Sequence, residues 1–379
     1  MKPRIANLSI ERFRALRRLR IERLGGVNLV TGKNNTGKSS ILEALRILAS
    51  GASPLVLSAI LRYREENADE IQYGGRQVDT ESLAQLGCLF CGFPQISETH
   101  EPIVLSADGI TGSMQSTISL GWFSEQWEPD GSRRLVPQQP RLPPESPSPE
   151  AEPMPALVMD SGAAKRIVPL DYRKGLYRER NYRVDLPEEP RMPCVFVSPY
   201  GGERTRNLGP LWDKIALSGL ETDVVNALKI IAPDIEAVSM VGSEGPSQLR
   251  TAIVRSSGFP RPVPLRSFGD GLNRLFGIVL SLVNAKGGFL LIDEFENGMH
   301  HTVQLDVWRG IFHLSNLLNV QVFATSHSWD AVEAFQEAAA EHPDEGLLIR
   351  LSRKGDEVIP TLFDGEELAV ATRDRIEVR

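Results

Sequence analysis

Eight consecutive residues, Gly32-Lys33-Asn34-Asn35-Thr36-Gly37-Lys38-Ser39, satisfy the spacing G-x-x-x-x-G-K-[ST] in full. Glycines at those places let the main chain wrap closely around phosphate oxygens, and successive N–H groups at a helix N-terminus supply positive partial charge. In such a loop Lys38 reaches the β- and γ-phosphates of a triphosphate, and Ser39, followed by Ser40, offers its hydroxyl to Mg²⁺.

Three further clusters have the residue types for phosphoryl chemistry. Phe289-Leu290-Leu291-Ile292 is an unbroken apolar run ending in Asp293-Glu294. It predicts a strand buried on both faces whose acids lie at the C-terminal edge, where α/β sheets bind ligands. Asp293 suits the Mg²⁺ shell, and Glu294 suits a general base for the attacking water. Upstream, Ser267-Phe268-Gly269-Asp270-Gly271 precedes Leu272, Leu275, Phe276, Val279 and Leu282 at helical spacing, a second anion cradle at a helix N-terminus. One phosphate loop already serves one triphosphate. A second cradle therefore points to the γ-phosphate of a nucleotide held by another copy, in a head-to-tail dimer with two shared sites. His327, in Thr325-Ser326-His327, falls one βαβ crossover after Glu294, on the same sheet edge, where an imidazole can sense the γ-phosphate. The adjacent His300 and His301 lack a metal-ligand spacing and read as structural, with a dimer interface as the alternative for His300.

The elements that must position these groups are legible by periodicity. Ile5 to Ile10, Leu19 to Leu24 and Val27 to Val30 read as strands opening a sheet. Ile41, Leu42, Leu45, Leu48 and Ala49 read as a helix stopped by Gly51 and Pro54. Residues 55 to 190 carry short alternating pieces, Ile103 to Leu105 and Thr117 to Trp122, with turn signals at Asp108-Gly109 and Asp130-Gly131, which predicts an antiparallel β region. Pro137 to Pro155 has the composition of an exposed loop. A strand at Cys194 to Val197, a helical stretch around Leu211 to Ile231, a helix through Leu305, Trp308 and Phe312, and a strand at Val320 to Phe323 complete the pattern. The expected organisation is an N-terminal core segment over 1–54, a β-rich insertion over 55–190, a helical lobe over 191–266, and the remainder of the core over 267–379.

With 379 residues, one large domain with an insertion or two lobes is expected. The net charge of −7 exerts no global pull on nucleic acid or anionic membranes, so such a partner must meet a local patch. One exists: Lys2, Arg4, Arg12, Arg14, Arg17, Arg18, Arg20 and Arg23 stand against only Glu11 and Glu22, as a solvated face or a phosphate-binding one. Three cysteines, two of them Cys88 and Cys91, make neither a disulfide framework nor a zinc site and are expected in the core. The N-terminus has no apolar signal region, and no stretch approaches the roughly 18 to 20 apolar residues of a membrane span, so a cytoplasmic place and no membrane partner are expected.

In this order, the phosphate loop, SFGDG, LLIDEFENG and TSH resemble the ABC ATPase superfamily, where they are called Walker A, signature, Walker B with D-loop, and switch histidine. The resemblance covers mainly residues 1–50 and 265–330. IERFRALRRLRIERL, GKNNTGKSSILEAL, IDEFENGMHH, ATSHSWDAVEAF and RDRIEVR are similar to the soluble branch of SMC-type, RecF-like and overcoming-lysogenization-defect (OLD) ATPases. That resemblance implies an α/β, ABC-ATPase-like P-loop core with a mixed β-sheet, an antiparallel β region and a helical insertion lobe. It implies ATP and Mg²⁺ as ligands, Lys38 and Ser39 as nucleotide and metal contacts, Asp293 and Glu294 as the Mg²⁺ and water residues, and His327 as the switch. Ser267, Gly269, Asp270 and Gly271 would meet nucleotide across a homodimer. Two departures stand out: SFGDG replaces the transporter LSGGQ, and the glutamine loop has three candidates, Gln72, Gln85 and Gln95. OLD nucleases carry a C-terminal Toprim domain, whereas about 50 residues follow His327, fewer than an independent domain usually has. The leading expectation is an ATPase that controls a separately encoded effector, such as a Toprim-like nuclease in phage defence. The alternative is a RecF-like DNA-repair ATPase that clamps duplex DNA on the basic face, and a nucleotide sensor with negligible hydrolysis is third.

Overall fold

The structure is a computed structural model. It describes residues 2–64, 66, 86–93, 101–110, 112–127, 133–138, 154–169, 192–199, 205–216, 219–229, 232–242, 250–374 and 377–378. Gln72, Gln85, Gln95, Asp130-Gly131 and the Pro-rich stretch, apart from its two ends, lie outside these residues.

The chain opens with a hairpin, β1 (Leu8–Phe13) and β2 (Leu16–Ile21). On β2, Leu16, Leu19 and Ile21 are buried while Arg17, Arg18 and Arg20 face solvent, alternating from Arg18 to Ile21 as in a half-covered sheet. β3 (Val27–Gly32) is buried throughout and feeds α1 (Lys38–Ala49), with α2 (Pro54–Tyr63) beyond. Five antiparallel strands follow: β4 (Ile103–Gly109), β5 (Gly112–Trp127), β6 (Arg133–Gln138), β7 (Met154–Asp160) and β8 (Lys165–Pro169). Next come β9 (Cys194–Val197), α3 (Thr205–Ile215), α4 (Leu220–Leu228), and the strands β10 (Ile235–Gly242), β11 (Arg250–Ser256) and β12 (Val263–Pro264). The last third alternates: α5 (Asp270–Asn284), β13 (Phe289–Ile292), α6 (His301–Leu318), β14 (Gln321–Thr325), α7 (Trp329–Ala340), β15 (Gly346–Lys354), β16 (Glu357–Phe363) and α8 (Gly365–Arg373).

These strands form three sheets. A mixed sheet runs β16-β15-β3-β14-β13-β9, parallel except for β16. A seven-stranded antiparallel sheet runs β2-β1-β4-β5-β7-β8, with β6 beside β5. A small sheet runs β10-β11-β12. The three N-terminal strands therefore do not share one sheet, contrary to expectation: β1 and β2 join β4, whereas β3 enters the mixed sheet. The crossing point is Gly25, where a Cβ would lie 2.6 Å from the Glu345 carbonyl oxygen.

The mixed sheet separates two cores, and strict alternation along its strands feeds both. Leu290, Ile292, Val322 and Ala324 pack with α3 to α7, while Phe289, Leu291 and Phe323 pack with α1, α2 and the antiparallel sheet. Burial on both faces is why these strands read as continuous apolar runs. The helical stretch expected around 211–231 holds two helices, the end of α3 and all of α4, the second opening at an N-cap Gly219 with φ 85°. Among the described residues, no helix is long and apolar enough to cross a membrane.

Candidate nucleotide site

The phosphate loop is shaped by residues that tolerate positive φ: Gly32 at 139°, Asn35 at 62° and Gly37 at 91°. At Gly32 a Cβ would stand 2.5 Å from the Leu351 carbonyl oxygen on β15, so the loop lies against a wall of main chain. Lys38 is 6% exposed; its ammonium donates to the carbonyls of Gly32 at 2.6 Å and Lys33 at 2.9 Å. The Thr36 hydroxyl donates to the Lys33 carbonyl at 2.8 Å. Burial pushes the Lys38 pKa down to about 8, against the opposing pull of Asp293, Glu294 and Glu296. Those three carboxylates are thus the electrostatic surroundings of the loop lysine.

At the end of β13 the backbone N–H of Asp293 donates to the Val197 carbonyl, and the buried Asp293 Oδ1 accepts from two hydroxyls, Ser39 at 3.1 Å and Thr325 at 2.6 Å. The Thr325 hydroxyl oxygen in turn accepts from the Glu294 N–H at 2.8 Å. The first turn of α1, the end of β13 and the end of β14 are joined in this way by one chain of hydrogen bonds. Glu294 holds φ 49°, a left-handed conformation uncommon for a non-glycine residue, and Asn297 donates its amide to Glu294 Oε2 and to the Pro199 carbonyl. His327 Nε2 stands 4.0 Å from Glu294 Oε1, both side chains being part exposed. The His327 backbone N–H donates to Glu296 Oε1 at 2.8 Å.

Ser267 and Gly269 are exposed, and a Cβ at Gly269 (φ 98°) meets nothing within 4 Å, so this turn presents its backbone to open space. Asp270 is the first residue of α5, and Gly271 follows it. One turn on, buried Arg274 donates to the Ser198 carbonyl at 2.6 Å, with longer approaches to the carbonyls of Asp293 at 3.4 Å and Glu294 at 3.5 Å. The second cradle thus reaches the acidic strand end through one guanidinium.

Beside Asn35 opens a cleft of about 670 Å³, lined by Arg12, Arg14, Arg17, Phe90, Phe93 and Arg353 among others. Arg14 (φ 53°) pairs with Glu43 on α1 and donates to both oxygens of Glu66 at 2.9 Å, which fixes the hairpin turn to the helix behind the phosphate loop. Cys91 also lines this cleft, and Cys88, Cys91 and Cys194 are half-buried rather than core residues, Cys88 in the 3-10 turn Gly87–Leu89 and Cys194 at the start of the edge strand β9. His300 is the N-cap of α6, accepting from the Thr302 N–H. Thr325, Glu296, Asn297 and Arg274 were not singled out by sequence reasoning. Their only signal was proximity: three flank the Asp293-Glu294 and His327 motifs, and Arg274 follows SFGDG by three positions.

Two family models match the chain: "AAA ATPase domain" over residues 1–86 and "AAA domain, putative AbiEii toxin, Type IV TA system" over 159–332. Among curated proteins, an ATP/GTP phosphatase of Helicobacter pylori is 23% identical over 387 aligned positions, covering 96% of each chain. The DNA replication and repair protein RecF of Teredinibacter turnerae is 43% identical over 51 residues, 14% of each chain. Of solved structures, an SMC head bound to the C-winged helix domain of ScpA superposes with a TM-score of 0.51 at 12% identity, covering 96% of this chain and 99% of that one. An SMC head with an extended coiled coil, bound to the C-terminal domain of ScpA derived from Pyrococcus furiosus, superposes at 0.50 with 11% identity over both whole chains. The chain accordingly has the SMC-head, ABC-like P-loop NTPase fold, and its two matches to AAA-type family models contain the phosphate loop and Asp293, Glu294 and His327.

Proposed function

We propose that the protein binds ATP on residues 32–40 and hydrolyses it, with Asp293, Glu294 and His327 completing the chemistry. The observation that carries this reading is the shared Asp293 carboxylate, which gathers Ser39, Thr325 and the Glu294 backbone around one point beside Lys38. Lys38 and the N–H groups at the start of α1 bind the phosphates, and the cleft beside Asn35 takes the rest of the nucleotide. Ser39 Oγ and Asp293 Oδ1 are adjacent oxygen donors, the set that a hard cation prefers, and Mg²⁺ held there supplies charge neutralisation at the phosphate oxygens. Glu294 accepts a proton from the attacking water, and its left-handed backbone with the Asn297 amide fixes where that carboxylate points. His327 borders the same water position. The relative named for both ATP and GTP makes either purine triphosphate a substrate to try.

The exposed Ser267 and Gly269 support a homodimer in which each signature turn caps the nucleotide of the other copy. In this reading residues 1–54 and 267–379 form the core, 55–190 the β-rich part and 191–266 the lobe that carries the signature turn. Closure and opening of the dimer would control a separately encoded effector, a Toprim-like nuclease in phage defence being the favoured kind. A second reading, DNA clamping, is favoured by one observation: Arg17, Arg18 and Arg20 project to solvent on a single hairpin strand.

The test is turnover by the purified protein with ATP or GTP and Mg²⁺, beside Lys38→Ala. Turnover that the substitution abolishes supports the proposal. Absence of turnover with both nucleotides, or turnover indifferent to Lys38, sinks it. Co-purification with neighbouring gene products then separates an effector partner from ATP-dependent, salt-sensitive DNA binding.

A further inference from the structure

Glu296 has no assigned part in the chemistry described above, yet it stands inside the site. It lies two residues beyond Glu294, its Oε1 accepts the His327 backbone N–H at 2.8 Å, and its charge bears on Lys38. Its other oxygen, Oε2, is shut off from solvent with no hydrogen-bond partner. A buried carboxylate oxygen without a partner costs stability, so fold stability alone is a poor reason for an acid at this place. The bond it does make is aimed at the one backbone N–H that carries the histidine facing Glu294.

We propose that Glu296 is a positioning residue for hydrolysis: it anchors the loop after β14 through the His327 N–H and thereby sets the imidazole 4.0 Å from Glu294. The inference rests on the hydrolytic reading above. The strand ends at Asp293 and Thr325 are already fixed to each other by the 2.6 Å bond, but His327 lies two residues past that tie. The next ties are the Ser326 N–H on the Val30 carbonyl at 3.1 Å and the Ser328 cap of α7, so without Glu296 the peptide between them, which carries the imidazole, can turn away from the water position. A displacement on the order of 1 Å at such a group is enough to cost about two orders of magnitude in rate.

The experiment compares wild type with Glu296→Ala, Glu296→Gln, His327→Ala and the Glu296→Ala/His327→Ala pair, measuring kcat, KM, and affinity for a fluorescent ATP analogue. Thermal melting of each variant tracks folding. Glu296→Ala should lower kcat roughly 10- to 100-fold with KM and analogue affinity little changed, the signature of an interaction that matters in the transition state. Glu296→Gln, which keeps a carbonyl oxygen to accept the N–H, should recover most of that loss. The double variant should be no slower than His327→Ala alone, because both changes remove one effect. Undiminished kcat in Glu296→Ala, losses that multiply in the double variant, or a glutamine variant as slow as the alanine one would each overturn the proposal while leaving ATP hydrolysis intact. A wild type without turnover overturns both readings together.

Discussion

The Ser39 hydroxyl and the Asp293 carboxylate lie 3.1 Å apart although 254 residues separate them in the chain. The pair marks the place where the phosphate-loop helix and the acidic strand end become one site. A serine alone at a helix start is a cap, and an aspartate alone at a strand end is a solvated acid. Together, with Thr325 on the same Asp293 oxygen, they are a donor set.

Replacing Asp293 by Asn keeps a hydrogen-bond acceptor for both hydroxyls but removes a charge. Turnover should fall about 100-fold or more, as for loss of a group that neutralises phosphoryl-transfer charge. Affinity for ATP in Mg²⁺-free buffer should hold or rise, since one of the three carboxylates facing Lys38 is gone. Equilibrium binding with and without Mg²⁺ checks both signs.

Glu294→Gln should spare nucleotide binding and lower turnover by roughly two to three orders of magnitude. The variant should accumulate as an ATP-bound dimer, read by light scattering after gel filtration. Unimpaired turnover in this variant removes Glu294 from the mechanism.

Lys38 gives the site a pH signature. Its pKa is pushed down to about 8 in the nucleotide-free protein, and bound phosphate favours the charged ammonium. Nucleotide binding must therefore take up protons at pH values near and above 8. Affinity should be flat below that and weaken by up to about tenfold per pH unit above it. Calorimetry in buffers of different ionisation enthalpy measures the uptake directly, and the effect should vanish in Lys38→Met.

Gly32→Ala should destabilise the fold before it affects chemistry. The new Cβ combines a φ of 139° with a 2.5 Å approach to the Leu351 carbonyl, and main chain cannot swing aside as a side chain can. A loss of about 3 kcal/mol or more is expected, from backbone strain plus steric displacement. Gly162→Ala, with φ 76° and nothing within 4 Å, isolates the backbone part and should cost about 1 kcal/mol. Denaturant unfolding of the two variants separates the terms.

The phosphate loop and Asp293-Glu294 were legible in the sequence because their chemistry is local: glycine spacing before a helix, and acids at the end of an apolar run. α5, β13, α6 and β14 were legible for the same reason, since burial on one or both faces writes a clear period, whereas α7, β15, β16 and α8 were not anticipated. Sheet membership was not. Nothing in Leu8–Phe13 distinguishes a partner on β4 from one on β3, because the alternation is identical for either neighbour. β10 and β11 were also missed: short, half-exposed strands carry a weak pattern. Arg274 and Glu296 escaped notice since a charged residue declares a role only through the atoms it meets, here the carbonyls of Ser198 and the N–H of His327.

The position of β3 has a consequence for biosynthesis. Its two neighbours, β14 and β15, pair Val27 with Val322 and with Gly346, so both edges of the strand that ends in the phosphate loop are completed by segments translated far later. A ribosome will have released most of the chain before that strand gains either neighbour. Its bare edges meanwhile invite wrong pairings. A truncated product can thus carry an intact Walker A motif and still be unable to retain ATP, and expression yield should respond to chaperone supply more than to changes in the site itself.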